Sequence, residues 1–347
     1  MIRPLDTAEV QFQLGTEIGA EGRNSQVFEA HDVQLDATIA VKKIEKVRFA
    51  DVAEYFVEAS LVYRCAHTNI VPIHYACQDA DCIYLAMPLY QNGSLKTLMS
   101  QRHLTNREIV TFATQFLAGL HNIHSKGMIH FDIKPDNILL SDRGEALISD
   151  FGLTREVSYR GTAGQDRIYG KMVPPEAFAT DDFSRAFDIY QVGLTLHRMC
   201  VGDAAFYADF DQYKSAGTLD RNRFQFAVLN GRFPERSSYL EHTPAPLINT
   251  IKSCLERDSS NRTTAALEVV NDMAGIDGAL LDWSYEEQGG LRLWEKKVGD
   301  MTIKLEVDAD SRSTATKTRD GSPARRVVDY CKERLTRQEI KRFLRNH

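Results

Sequence analysis

Two short segments about a dozen residues apart constrain this chain most: His130-Phe131-Asp132-Ile133-Lys134-Pro135-Asp136-Asn137 and Asp150-Phe151-Gly152. The first places an acid, a base and an amide at fixed offsets on a loop. The second sets another acid beside an aromatic and a glycine. Phosphoryl transfer from a magnesium nucleotide demands such a set. Asp132 can accept the proton of an attacking hydroxyl, Lys134 can sit on the moving phosphate, and Asn137 and Asp150 can hold metal ions. Each motif alone is moderately specific; their order and spacing together are strong.

The bulk properties bound what surrounds these motifs. A chain of 347 residues has room for a large two-lobed domain and a small extra one. The 42 basic and 48 acidic residues give a net charge of −6, which argues against a dedicated nucleic-acid binder. No run of about eighteen apolar residues exists, and Met1-Ile2-Arg3-Pro4-Leu5-Asp6 lacks the apolar core of a signal peptide. The expectation is a cytoplasmic protein with no membrane association. The six cysteines form no Cys-x-x-Cys pair, so they read as reduced thiols and not as a zinc site.

Along the chain, residues 12–47 read as strands around a glycine-containing turn, with Val27–Ala30 and Ile39–Ile44 as β-rich runs. From Asp51 to Cys65 the apolar residues recur at helical spacing. Ile70–Ala76 and Cys82–Met87 alternate as two further strands. Pro88–Ser94 has the proline and glycine of a hinge. Helices are expected at Leu95–Met99, at Glu108–Ser125 with Gly127 near its C-cap, and over roughly 174–275. From about Leu280 the pattern changes to a small antiparallel sheet, including Met301–Val307, closed by two helices. The second helix starts at the capping box Thr336-Arg337-Gln338-Glu339.

On Asp132-x-Lys134-x-x-Asn137 and Asp150-Phe151-Gly152 the chain resembles the eukaryotic-type Ser/Thr protein kinases. The resemblance covers roughly 12–275 and implies an α+β bilobal kinase fold: an N-lobe at about 12–87, a hinge at 88–91 and a C-lobe at 92–275. Residues 280–347 lie outside the resemblance and are expected to form a small α+β appendage. The resemblance also implies ATP, Mg2+ (with Mn2+ as an alternative ion) and a protein substrate. Lys42 in Ile39-Ala40-Val41-Lys42 matches the strand lysine that contacts the phosphates, while Lys43 points to the opposite face. Glu58 matches the helix acid that pairs with Lys42, and Glu54 is its rival one turn earlier. Gly19 and Gly22 belong to the loop that covers the phosphates. Adenine is expected between Val27 and Ala40 above and Leu139 below. The backbone of Pro88, Leu89 and Tyr90 would bond to it, and Met87 resembles the gatekeeper. Lys134 is the lysine of Ser/Thr-type kinases. Val173-Pro174-Pro175-Glu176 resembles the end of the activation segment, with Arg262 as partner for Glu176, and Asp188 resembles the acid that anchors the catalytic loop.

The departures from the family pattern are informative. Counting back from Val27 puts Ala20, Gly22 and Ser25 where kinases have three glycines. Phe131 stands where most regulated kinases have an arginine that meets an activation-loop phosphate, a bond phenylalanine cannot make. Ile168-Tyr169 stands where Ser/Thr kinases have Gly-Thr. Ser158, Thr162 and Tyr169 are candidate autophosphorylation sites against a plain reading as polar surface. The compact core fits a bacterial or mobile-element kinase. Beyond Arg312 the chain is basic, which suits docking of an acidic protein or of RNA, or else a solvated helix face. Two rival functions stand beside the kinase: a pseudokinase or nucleotide-sensing scaffold, and a phosphotransferase acting on a small molecule or RNA. Lys42, Asp132, Asn137 and Asp150 argue against the first, and Lys134 with Pro175-Glu176 against the second.

Overall fold

The structure is a computed structural model that describes residues 8–18, 25–166 and 170–347. The phosphate-loop glycines Gly19 and Gly22, and the Ile168-Tyr169 pair, lie outside the described residues. Strands β1 (Phe12–Glu17), β2 (Gln26–Asp32), β3 (Ala37–Glu45), β4 (Tyr75–Gln78) and β5 (Cys82–Pro88) form one antiparallel sheet in the order β1-β2-β3-β5-β4. Alternation along β3 sorts its side chains. Ile39 and Val41 pack with Ala30 and Ala86, whereas Ile44 packs with Ile83, Leu85 and Ala59 of helix α1 (Val57–Arg64). Lys42 shares the parity of Ile44 and faces α1; Lys43 is half-exposed on the other side.

Two expectations shorten here. The helical spacing from Asp51 yields a 3-10 turn, Val52–Glu54, with Asp51 accepting from Ala53 N at 2.9 Å, before α1 begins at Val57. The two aromatic residues between them, Tyr55 and Phe56, are weak helix formers, and Phe56 sits outside the helical region at φ −111°. The strand expected from Ile70 begins only at Tyr75, because Pro72 cannot donate to a ladder; Ile70 makes a single parallel bridge to Ile148.

Past the hinge come α2 (Leu95–Gln101), capped by Ser94, and α3 (Asn106–Ser125), started by a capping box between Thr105 and Glu108. Gly127, at φ +70°, ends the α3 turn. Short ladders follow. They comprise β6 (Met128–Ile129), β7 (Ile138–Leu140), β8 (Ala146–Ile148), β9 (Arg155–Glu156), β10 (Ala163–Gly164) and β11 (Asp182–Phe183), paired β6-β9, β7-β8 and β10-β11. Helix α4 (Ala186–Val201) is buried along its whole length. Around it lie α5 (Asp203–Asp211), the hairpin β12 (Lys214–Ser215) and β13 (Thr218–Leu219), α6 (Arg221–Leu229), α7 (Ala245–Cys254) and α8 (Ala266–Ala274). Gly193 lets α4 approach α7: a Cβ there would lie 2.9 Å from that of Cys254.

The C-terminal segment forms the expected antiparallel sheet, a five-stranded meander. Its strands are β14 (Ser284–Gln288), β15 (Leu291–Val298), β16 (Met301–Val307), β17 (Ser313–Arg319) and β18 (Arg325–Arg326). One α-helix closes it, α9 (Arg337–Asn346), on the Thr336–Glu339 capping box; the other expected helix is only a 3-10 turn, Val328–Tyr330. Trp283, Trp294, Leu305, Phe343 and Leu344 form its core. The segment is fastened to the helical lobe by polar bonds: Asn106 Nδ2, which donates to His242 O at 3.0 Å within the lobe, also donates to Leu280 O at 2.9 Å. Trp294 Nε1 donates to His242 Nδ1 at 3.3 Å, and Arg337 to Tyr239 O at 2.7 Å. All six cysteines are free. Among the described residues, no helix is long and apolar enough to cross a membrane.

Candidate active site

Sheet, helix and loop converge on Lys42. Its ammonium is 2.6 Å from Glu58 Oε1 on α1 and 2.8 Å from Asp150 Oδ1. Glu54, the rival acid, is exposed on the 3-10 turn. Burial pulls the Lys42 ammonium down, but the charges of Asp150 and Glu58 outweigh it and hold it above the ordinary lysine value. The Lys42 charge holds the Asp150 carboxyl well below the usual range, outweighing its partial desolvation. Glu58 is pushed up by burial, which Lys42 offsets only in part.

Asp132 lies on the loop between β6 and β7. Lys134 Nζ and Asn137 Nδ2 both donate to its Oδ2, each at 2.8 Å, and Asn137 also bonds the Asp132 carbonyl at 3.0 Å. With its amide nitrogen on Asp132, Asn137 presents its carbonyl oxygen as a hard donor. Asp150, whose side chain is 43% exposed, offers its second carboxylate oxygen. Oxygen donors of this kind suit a divalent cation such as Mg2+.

The loop is clamped from α4. Asp188, fully buried, accepts from His130 N at 2.8 Å, from Phe131 N at 2.7 Å and from His124 Nε2 at 2.8 Å. Gln191 accepts from Ile133 N at 2.9 Å and donates to Phe131 O at 3.0 Å, and Thr195 Oγ1 donates to Ile133 O at 3.3 Å. The sequence reading named Asp188 but missed Gln191 and Thr195. Their spacing from it, three and seven residues on, marks one helix face. The clamp holds Phe131 at φ +67°, a conformation costly for a bulky residue.

In place of an arginine pocket, the Phe131 ring sits in an aromatic cluster. It is 5.0 Å from the Phe187 ring and 5.9 Å from Phe183, beside Ile129 and Ala163. Ala163 belongs to β10, so apolar packing links the catalytic loop to the segment after Asp150-Phe151-Gly152. Thr162 Oγ1 donates to Asp182 at 2.8 Å within that segment, and Ser158 is exposed. Glu176 and Arg262 meet through two bonds, 2.7 and 2.9 Å, with Arg262 buried and also bonded to Ala186 O at 2.6 Å. Asp136, a further residue the sequence reading left unassigned, lies 3.2 Å from Lys96 and 3.3 Å from Arg198. Burial raises its carboxyl, but Arg198 and then Lys96 pull it down to about 2.

The residues expected around adenine occupy neighbouring strands. Ala40 is paired with Met87 and Val27 with Lys42 in the sheet register. Pro88, Leu89 and Tyr90 continue from β5, half-buried, and Leu139 lies on β7, bridged to Ser94.

A β-sheet lobe and a helical lobe, with this lysine, acid and loop set between them, define the bilobal kinase fold. The chain belongs to the protein kinase domain family, which it matches over residues 12–273. The family in general uses ATP and a divalent metal. Among its relatives is "Serine/threonine-protein kinase PknL" of Mycobacterium tuberculosis, 26% identical over 263 residues, covering 74% of this chain and 63% of the relative. "Probable serine/threonine-protein kinase PknB" of Lactococcus lactis is 26% identical over 271 residues, 76% of this chain and 42% of the relative. "Rho-associated protein kinase 1" of Homo sapiens is 29% identical over 197 residues, 55% and 14%. The chain therefore spans less than two thirds of these relatives' own length.

Proposed function

We propose that this chain is a Ser/Thr protein kinase that transfers the γ-phosphoryl group of Mg-ATP to a protein hydroxyl. The observation that carries the reading is the pairing of Asp132 with Lys134 and Asn137 on a loop facing the Lys42–Glu58–Asp150 set. Lys42 would hold the α- and β-phosphates, with Glu58 fixing its position. The Asp132 carboxylate would orient the acceptor hydroxyl and take its proton as the oxygen attacks the γ-phosphorus and the bond to the bridging oxygen breaks. Lys134 would sit on the moving phosphate. Asn137 and Asp150 would hold Mg2+, or Mn2+ in its place, whose charge would offset that on the phosphate oxygens. Gly19 and Gly22 would cover the phosphates; Val27, Ala40, Met87 and Leu139 would enclose adenine against Pro88, Leu89 and Tyr90.

The enzyme would be of the type without arginine before the catalytic aspartate, with its activation segment ordered by packing. We take 12–275 as the catalytic domain and 280–347 as an appendage whose basic end docks an acidic protein. The free thiols fit a reducing cytoplasm. The test is γ-labelled ATP with magnesium and, separately, a mixed protein substrate, a nucleoside and an aminoglycoside. Label on protein serine or threonine is expected. Label on the small acceptors, or none while ATP still raises the Tm, overturns the reading.

A further inference from the structure

The kinase reading leaves the acceptor side of the site without a substrate class, and the structure carries features there that it does not use. The 3-10 turn Gly170–Met172 is fastened to the catalytic loop by one side chain. Gln191 Nε2 donates to Met172 O at 3.4 Å and to Phe131 O at 3.0 Å, while its Oε1 accepts from Ile133 N at 2.9 Å. Lys171 therefore stands in fixed register with the loop that bears Asp132.

Lys171 is half-buried, yet its partners leave its charge uncancelled. The ammonium is 2.6 Å from Tyr207 Oη and 3.9 Å from the centroid of that ring. Among the described residues, no carboxylate pairs with it. A hydroxyl and a π face orient a cation without neutralising it. Asp136, an acid four residues after Asp132 on the same loop, is already engaged by Lys96 and Arg198. Arg198 also grips Asp203 through 3.0 and 3.1 Å bonds and lies 5.6 Å from the Tyr207 ring. Thus Lys96, Asp136, Arg198, Tyr207 and Lys171 form a continuous row beside the catalytic loop, and the charge left over at its Lys171 end is positive.

Resting on the kinase reading, we propose that the enzyme selects protein substrates carrying an anionic side chain, carboxylate or phosphoryl, close to the acceptor hydroxyl, with Lys171 as the specificity-determining residue. The anion would complete the partnership that Tyr207 leaves open. A charge-assisted hydrogen bond in such a part-buried place corresponds to about tenfold or more in kcat/KM.

The experiment uses the full chain with peptides holding a single serine among neutral residues. Each flanking position is replaced in turn by Glu, phosphoserine or Lys, and kcat/KM is read as a ratio to the neutral parent. The wild type should favour Glu or phosphoserine by about tenfold at one or more positions. Lys171→Met should bring that ratio close to one, and Lys171→Glu should reverse it in favour of Lys. A ratio responds to charge selection and not to a general loss of folded enzyme. Phosphoserine well above Glu would assign the phosphoryl group, and equal ratios the carboxylate. A wild-type preference for Lys, or ratios unmoved in both variants, overturns the proposal and leaves the kinase reading standing. No transfer to any peptide or protein overturns both.

Discussion

Replacing Phe131 asks whether the catalytic loop is held by packing or needs an ion pair. The ring is 3% exposed and packs edge-on against Phe187 at 5.0 Å and Phe183 at 5.9 Å, which stand 5.0 Å from each other. Truncation of a buried phenylalanine costs about 3–5 kcal/mol, and each lost aromatic pair supplies about 0.5–1.5 kcal/mol of that. The backbone at φ +67° holds a further strain of about 1–3 kcal/mol, which packing and the Asp188 bond keep in place. Phe131→Ala should therefore lose about 3–5 kcal/mol in denaturant unfolding and lose kcat more than ATP affinity, because Asp132 is the next residue. Phe131→Arg, which restores the residue common in regulated kinases, should fare no better. Its guanidinium would enter an apolar cluster of Ile129, Ala163, Phe183 and Phe187. Cation–π attraction of about 2 kcal/mol does not offset several kcal/mol of unpaired charge burial. The assay is denaturant unfolding alongside initial rates of phosphate transfer. A Phe131→Arg protein with wild-type stability and rate, or a Phe131→Ala protein less than about 1 kcal/mol weaker, would refute the packing argument.

Other substitutions probe the supports of the same site. Asp188→Asn leaves one acceptor oxygen where two served, so a backbone N–H of His130 or Phe131 faces an NH2 group at a cost of about 1–3 kcal/mol. Its kcat should fall at least tenfold with KM for ATP little changed, and an equal change in both would count against a loop-positioning role. Glu176→Gln strips the charge partner from buried Arg262 and should cost about 3–5 kcal/mol; an unmoved denaturation midpoint would contradict this. His242 accepts from Trp294 Nε1, so the fold needs it neutral, and burial, with a smaller contribution from His103, lowers its pKa from 6.5 to about 4. The unfolded chain takes up this proton below about pH 6.5 and the folded one does not. Stability present above pH 6.5 is thus lost toward pH 4, at about 1.4 kcal/mol per pH unit. His197 and His130, also buried and lowered, add slopes of the same sign. Between pH 7 and 5, His242→Gln should therefore unfold with a shallower slope than the wild type, by about 1.4 kcal/mol per pH unit, and matching slopes would sink the assignment.

What the sequence disclosed was mostly local. Period-two parity separated Lys42 from Lys43, a four-residue pattern placed the start of α9, and the loop motif carried Asp132, Lys134 and Asn137 with their spacing. The meeting of Glu176 with Arg262, far apart in the chain, was legible only through the resemblance to a family. Other features depend on surroundings that no local pattern records. Helical spacing from Asp51 could not reveal that two aromatic residues leave only a 3-10 turn before α1. The face of α4 that carries Gln191 and Thr195 was readable as helix, but what it faces was not, because that helix is buried all round. Phe131 was read as the loss of an arginine. Its positive role needs Phe183 and Phe187, which the chain brings back some fifty residues later. Likewise, the seam at His242 and Asn106 joins segments whose patterns say nothing of each other.

In the proposed function, this site moves the γ-phosphoryl of ATP to a protein hydroxyl through Asp132. The most direct measurement is the single-turnover transfer of label from γ-labelled ATP to protein serine or threonine in magnesium, for wild type, Asp132→Asn and Lys42→Met. ATP binding would be followed separately by thermal shift. The wild type should transfer label, and Asp132→Asn, which still binds ATP, should lose at least a hundredfold. Lys42→Met should show weakened transfer and binding together. Wild-type rates in Asp132→Asn, or ATP bound by the wild type with no phosphate transferred to any protein, would contradict the proposed function.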